Sequence, residues 1–323
     1  MSTSTITAGS AVSTAGPVRP PLTRKKTDWR GFALVWGFVA PALLIYVGFV
    51  LVPVGLAAFY SLFNWNGLAP LDRFIGLENY RRALSDPVFI GAIGHNLLIV
   101  GLSLLIQGPI AIGIALLLNR PLRGRTVIRT LIFVPYVLSE VVAALAFKLI
   151  LQPDGPFDTF LTSIGLGNLK QLWLADGDVV MWTLFFVLSW KYLGFAILLM
   201  LAGLQSVPDD LFEAASIDGA SWWQTQRYIT LPLLGPTIRI WAFLSMIGAL
   251  QLFDMVWVLT GGGPVSATTT MATYMVQYGF QRSQLGFGSA VAVILFIISF
   301  VFALLYQRFI LRRDFSGPVS GRS

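Results

Sequence analysis

The residues that could perform acid–base, metal or phosphate chemistry do not form a catalytic set in this sequence. His95 is the only histidine, and the absence of cysteine excludes disulfides and thiolate metal sites. Gly261-Gly262-Gly263-Pro264 is rich in glycine but predicts a turn, because it follows an apolar run and lacks the lysine of a phosphate-binding loop. None of the five lysines has the GxxxxGK[ST] context: Lys25, Lys26, Lys148, Lys170 and Lys191. These residues predict a binding function rather than catalysis, and no cofactor site is expected in this chain.

Three ionisable residues, Glu140, Lys191 and Asp254, stand inside long apolar segments. Such residues are costly in hydrocarbon and usually face the interior of a helix bundle or a wet cavity. Two interpretations of Lys191 stay open. It either pairs with Glu140, or hydrogen-bonds solute hydroxyls or an anionic group of the solute from a cavity wall. Asp254 either contributes hydrogen bonds to the same cavity or caps the outer end of its helix.

The composition identifies the elements that must position these residues. Of the 323 residues, 56% are hydrophobic and only 11% are charged, and the mean hydropathy of +0.75 is too high for a soluble domain. A membrane span needs about 20 largely apolar residues. Six segments qualify: 36–60, 93–118, 131–151, 180–204, 237–260 and 287–311. The predicted fold is therefore all-α, a polytopic membrane protein with six transmembrane helices.

The basic residues predict the orientation, because cytoplasmic loops carry the excess of Lys and Arg. One side holds most of them: Arg19, Arg24, Lys25, Lys26, Arg30, Arg120, Arg123, Arg125, Arg129, Arg227, Arg239, Arg308, Arg312, Arg313 and Arg322. Both termini are then cytoplasmic, with a disordered tail at 1–30, a membrane domain at 31–314 and a second tail at 315–323. Because the basic residues lie at span ends, the net charge of +7 does not indicate nucleic-acid binding.

A polar insert, residues 204–232, separates the fourth and fifth spans on the cytoplasmic side. Ser206 is predicted to cap a first short helix, which ends at Gly219 in a left-handed conformation. Ser221 and Gln224 have the spacing of a second capping box, and the second helix is expected to stop at Leu231-Pro232. The insert is thus predicted to be a docking element of two short helices joined at Gly219.

The insert resembles the EAA loop of permease subunits in bacterial ATP-binding-cassette (ABC) importers, of the MetI-like type. The matching residues, within a coupling loop at 205–235, are Glu213, Ala214, Ala215, Asp218, Gly219, Leu231 and Pro232. Three further segments are similar to carbohydrate importers, specifically to the maltose-type F and glycerol-phosphate A subunits: residues 74–80 (FIGLENY), Trp190, and residues 259–264 (LTGGGP). The resemblance extends from Trp36 to Arg313. The two additional N-terminal spans and the large external domain of the maltose F subunit are absent here.

This resemblance implies a permease in the bacterial inner membrane, in contact with lipid, that moves a sugar or oligosaccharide into the cytoplasm. The implied partners are a second permease subunit, two ATPase subunits that bind ATP and magnesium, and an external solute-binding protein. The short helix around Glu213 would sit in a cleft of one ATPase subunit. ATP hydrolysis would reside in that partner, so this chain is expected to be a transport subunit rather than an enzyme.

The resemblance also implies a solute path along the fourth and fifth spans. The positions carried over are Lys191, Tyr192, Phe195, Ser245, Gly248, Ala249 and Leu252, to which Gln251 and Asp254 are added as hydrogen-bonding groups on neighbouring turns. Gly248, Ala249 and Leu252 have no polar side chain where a sugar site would need one. Either the solute differs from maltose or the second permease binds it.

Two alternatives remain at the level of sequence. A self-contained secondary transporter normally shows two related halves with broken spans, and no second copy of the insert is present. An ABC importer for another polar solute, such as glycerol phosphate, shares the coupling loop and differs only in the solute path. Co-purification with an ATPase would separate the first alternative from an importer.

Overall fold

A computed structural model describes residues 29–120 and 123–311, with side chains described from residue 34. The tail predicted at 315–323, and residues 1–28 of the tail predicted at 1–30, lie outside the described residues. Within the described ranges there is no β-strand, only an isolated antiparallel bridge between Phe63 and Phe74. The predicted all-α class is confirmed.

The described residues form fifteen α-helices, many of them consecutive segments of one longer helix joined by π-helical turns. The helices are α1 Trp29–Tyr46, α2 Val52–Tyr60, α3 Glu78–Ser85, α4 Pro87–Leu102, α5 Gly108–Leu118, α6 Arg125–Val137, α7 Glu140–Ile150, α8 Pro156–Ser163, α9 Val180–Leu204, α10 Asp210–Ile217, α11 Trp222–Thr225, α12 Leu231–Leu250, α13 Asp254–Leu259, α14 Met271–Tyr274 and α15 Leu285–Tyr306. The π-helical turns are Val47–Leu51, Ser103–Gln107, Gln226–Thr230, Met275–Phe280 and Gln307–Leu311, and Gly167–Leu169 is a 3₁₀ turn.

The chain divides into two compact units, one up to Val52 and one from Pro53 onward. The first unit contains α1 and the π-helical turn that follows it. The second unit contains every element from α3 to α15 and all the residues of the candidate site.

Five helical stretches of the described chain are long and apolar enough to cross a membrane: Leu34–Tyr60, Pro87–Leu118, Val180–Leu204, Trp222–Leu250 and Leu285–Leu311. They correspond to five of the six predicted spans. The remaining one, predicted as continuous at 131–151, is broken, because α6 and α7 meet at an angle of 96°. Leu138 and Ser139 adopt extended backbone angles between them, and Pro135 removes one backbone donor from the last turn of α6.

The fifth span ends earlier than predicted, at Leu250 rather than at residue 260. Asn96 of α4 explains the early end, because its fully buried side-chain amide donates to the carbonyl oxygens of Ala249 at 2.6 Å and Leu250 at 3.4 Å. The same side chain accepts from the backbone N–H of Met271 at 2.9 Å. One residue therefore satisfies both the last carbonyls of α12 and the first N–H of α14.

Close backbone contacts fix the packing of α9 against α6. A Cβ atom on Gly194 would lie 2.2 Å from the carbonyl oxygen of Ile132, so only glycine allows this approach. Small residues have this role at helix contacts in membranes, where close packing replaces the hydrophobic driving force. The contact holds α6 beside the middle of α9.

The insert between α9 and α12 confirms some local predictions and corrects two. Gly219 is left-handed, with φ +73°, and Ser221 forms the predicted capping box with Gln224. The assignment of Ser206 as a cap is wrong, because its hydroxyl donates to the carbonyl oxygen of Gly203 and α10 begins only at Asp210. The helix stop predicted at Leu231-Pro232 is also wrong, because Trp222–Leu250 is one helical stretch. A π-helical turn precedes Pro232 and places the proline at the start of α12, where its missing N–H donor is tolerated.

Candidate functional site

A cavity of about 390 Å³ lies among α4 and the π-helical turn that follows it, α6, α7, α9, α12 and the start of α13. Its wall alternates aromatic and aliphatic side chains with hydroxyl, amide and carboxylate groups. The lining residues are Ile99, Ser103, Gln107, Tyr136, Glu140, Phe185, Leu188, Ser189, Tyr192, Phe195, Trp241, Leu244, Ser245, Gly248, Ala249, Gln251, Leu252, Phe253 and Asp254. We refer to this space as the central cavity.

Most of the residues predicted for the solute path lie on the central cavity. Eight of the nine line it: Tyr192, Phe195, Ser245, Gly248, Ala249, Gln251, Leu252 and Asp254. Lys191 lies outside its wall. The structure therefore brings these eight positions together around one space, and their contact with a solute stays a prediction.

Sequence reasoning missed several polar members of the wall. Ser103 and Gln107 are buried in the π-helical turn between α4 and α5. They are four residues apart inside an apolar span, a spacing that places both on one helix face and could have identified them. Ser189 also lines the cavity, and its hydroxyl oxygen is buried without a hydrogen-bond partner among the described residues.

Tyr136 is one of four aromatic wall residues that sequence reasoning missed, with Phe185, Trp241 and Phe253. Its ring stacks on that of Phe195, with centroids 4.9 Å apart and planes at 19°, and meets the edge of Tyr192 at 6.2 Å. Tyr136 belongs to the last turn of α6. It lies directly before the break after Val137, which the sequence alone does not predict.

Lys191 is 3% exposed and contacts the broken span rather than the cavity. Its amino group donates to the carbonyl oxygens of Pro135 at 3.4 Å, Tyr136 at 3.2 Å and Leu138 at 2.5 Å. Although both residues are described, Lys191 and Glu140 form no salt bridge, so the pairing hypothesis is wrong. Glu140 instead accepts a hydrogen bond from the hydroxyl of Tyr192.

Asp254 does not cap the outer end of the fifth span, because α12 has already ended at Leu250. It stands in the first turn of α13, where a negative charge is favourable near the helix N-terminus. Its exposed side chain and that of Gln251 remain on the cavity wall.

The coupling loop presents α10 as an exposed helix. Glu213 and Ala214 are exposed, whereas Ala215 is 6% exposed and packs inward. Asp218 closes the helix, and a Cβ on Gly219 would meet nothing within 4 Å. The requirement for glycine at this position is therefore one of backbone conformation, not of space. Leu231 and Pro232 lie in the helical stretch beyond.

Large apolar side chains project from the same loop. Ile217 is 86% exposed, Trp223 66% and Tyr228 70%. The guanidinium of Arg120, at the end of α5, lies 4.5 Å from the ring centroid of Trp222. Exposed apolar residues beside carboxylates are typical of a protein–protein contact surface.

Residues 107–314 match the family described as "Binding-protein-dependent transport system inner membrane component". This match covers more than half of the chain, and the chain belongs to this family. It is a multi-pass membrane protein and a permease subunit of an ABC importer, and not an enzyme.

Individual relatives extend the similarity over most of the sequence. The multiple sugar-binding transport system permease protein MsmF of Streptococcus mutans is 36% identical over 272 residues, which are 84% of this chain and 92% of that protein. The arabinooligosaccharides transport system permease protein AraP of Bacillus subtilis is 32% identical over 302 residues, 90% of this chain and 94% of that one. A chain in the crystal structure of a bacterial ABC transporter for the acidic polysaccharide alginate has a TM-score of 0.77 at 25% identity, covering 88% of this chain and 97% of its own.

Proposed function

We propose that the chain is the transmembrane subunit of an ATP-driven importer that moves a neutral sugar or oligosaccharide from an external binding protein into the cytoplasm. The observation that carries this proposal is the central cavity, in which aromatic rings and hydrogen-bonding groups share one wall. Sugars have apolar ring faces and polar edges, so such a wall can stack on the faces and bond the hydroxyls. The names of the relatives MsmF and AraP support a saccharide as the solute.

The charge of the wall favours a neutral solute over an anionic one. Glu140 and Asp254 line the cavity, whereas the described residues of its lining include no Lys, Arg or His. A phosphate or uronate group in this cavity would meet carboxylates and no cation, which is unfavourable in a poorly hydrated site. Glycerol phosphate is therefore the weaker candidate.

The solute class can be tested with the assembled complex in lipid. ATP hydrolysis is measured with a binding protein for each saccharide, and neutral oligosaccharides are compared with oligouronates of equal length. Neutral saccharides are expected to stimulate hydrolysis. Stimulation by the oligouronates alone would refute the assignment.

The assembly that we propose follows the resemblance of the coupling loop. A second permease completes the solute path, two ATPase subunits bind ATP and magnesium beneath it, and both termini face the cytoplasm of a bacterial cell from its inner membrane. The exposed carboxylate of Glu213 offers a charge-assisted hydrogen bond to a cationic side chain of the ATPase. The exposed apolar residues next to α10 supply the rest of the contact.

This docking role can be tested with a matched pair of variants. Glu213→Ala removes an exposed carboxylate from the first turn of the eight-residue helix α10, and Glu78→Ala does the same in the eight-residue helix α3. Co-purification with the ATPase is expected to fall in Glu213→Ala and to stay unchanged in Glu78→Ala. Equal recovery of the ATPase with both variants would remove Glu213 from the docking surface.

A further inference from the structure

The break between α6 and α7 exposes two helix ends in the middle of an apolar span. The last carbonyl groups of α6 and the first N–H groups of α7 have no partner within their own helices. Inside a bilayer such groups must be satisfied by protein or by water in a cavity, because lipid offers no hydrogen-bond partner. The break therefore needs partners from outside its own two helices.

Lys191 supplies partners for the carbonyl side. Its three hydrogen bonds, to Pro135, Tyr136 and Leu138, use all three donors of an ammonium group. A positive charge is also favourable at a helix C-terminus. With every donor occupied, the amino group has none left for a solute.

Tyr192 contacts the other side of the same break. Its hydroxyl donates to a carboxylate oxygen of Glu140, the first residue of α7. Consecutive residues of α9 therefore hold the two ends of the broken span. Gly194, one turn further along α9, allows the backbone of α6 to approach at Ile132 and keeps this face of α9 against the break.

We propose that Lys191 and Tyr192 form a clamp that fixes the angle between α6 and α7 and so positions Tyr136 and Glu140 in the wall of the central cavity. Lys191 is a positioning residue in this scheme and not a solute contact. Releasing the clamp would leave three part-buried carbonyl groups of the span without this donor. Its importance for solute recognition rests on the proposed function, whereas its effect on the helix angle does not.

Removal of the clamp is expected to straighten the span. A continuous helix through residues 138 and 139 would satisfy the orphan groups within its own backbone. At the angle of 96° the Cα atoms of Val127 and Leu149 lie about 20 Å apart by helix geometry, and in a straight helix they would lie about 33 Å apart. The distance between positions 127 and 149 therefore reports the angle between α6 and α7.

The experiment uses the absence of native cysteine. Val127→Cys and Leu149→Cys replace side chains that are 62% and 63% exposed, and they carry nitroxide labels for pulsed electron–electron distance measurements in the complex in lipid. Lys191→Met is compared with Lys148→Met, which alters an exposed lysine of α7 that donates to one carbonyl at 3.4 Å. The distance is expected to stay short in the parent and in Lys148→Met, and to lengthen or broaden toward the straight value in Lys191→Met.

A second measurement separates positioning from mere stability. The saccharide concentration that gives half-maximal stimulation of ATP hydrolysis should rise about tenfold in Lys191→Met, the equivalent of one or two lost hydrogen bonds, and stay unchanged in Lys148→Met. An unchanged distance distribution in Lys191→Met would overturn the clamp. If that variant does not assemble, Tyr192→Phe is measured with the same label pair, and an unchanged distance distribution would overturn it. Failure of every saccharide to stimulate the parent would instead count against the proposed function.

Discussion

Asn96 provides the sharpest test of the contacts that connect α12, a helix of the cavity wall, to α14. Its side chain joins the end of α12 to the start of α14 through bonds of 2.6 and 2.9 Å, at a position with no solvent exposure. Asn96→Leu keeps the branching and the number of side-chain heavy atoms but removes both the donor and the acceptor. The N–H of Met271 then stays buried without its partner, at about 1–3 kcal/mol, whereas the carbonyl of Ala249 keeps the backbone N–H of Leu252 at 3.4 Å.

The expected loss is therefore about 1–3 kcal/mol of folding free energy, which is a sizeable part of the stability of an ordinary domain. The purified complex can be followed by intrinsic fluorescence during heating, because the chain contains 10 tryptophans. Asn96→Leu should lower the unfolding temperature by several degrees. The exposed Asn119 serves as the control, and Asn119→Leu should have little effect. Equal unfolding temperatures for the two variants would refute the reasoning.

Three further outcomes are expected. Gly219→Ala must place a side chain at φ +73°, at a cost of about 1–2 kcal/mol, so the amount of ATPase that co-purifies should fall. Gly177→Ala changes a loop glycine without positive φ and should leave that amount unchanged. Gly194→Ala would force a Cβ to 2.2 Å from a carbonyl oxygen of α6, so thermal stability should drop although the change adds only one methyl group. Burial and a hydrogen bond to Asp86 raise the pKa of Tyr274 above its usual 10.0. The neutral phenol therefore contributes its full stabilisation below pH 10, and this contribution declines as the pH rises above 10. Tyr274→Phe should flatten that decline when the unfolding free energy is measured at a series of alkaline pH values.

The sequence was a good guide wherever the signal was local or compositional. Length and apolarity located the spans, and Ser221, Gln224 and Gly219 have the local chemistry that a cap and a left-handed turn require. These features depend on residues within a few positions of one another. Tertiary contacts did not need to be known.

The errors arose where distant residues decide the local structure. The break after Val137 is satisfied by Lys191, and the end of α12 by Asn96, more than fifty residues away along the chain in each case. The sequence predicts a helix end at Pro232, but a π-helical turn directly before it accommodates the proline within the helical stretch. The sequence therefore predicts most of the cavity residues as one group. The hydrogen-bond partners of Lys191 and the position of Tyr136 depend on tertiary contacts and could be read only from the structure.

The central claim, that this chain is the permease of an ATP-driven saccharide importer, is tested most directly by uptake into proteoliposomes. Labelled neutral oligosaccharide and its binding protein are supplied on one side, and ATP on the side of the ATPase subunits. We predict uptake that requires the partner permease, the ATPase and ATP together. Uptake by vesicles that contain this chain alone, without ATP, would contradict the account.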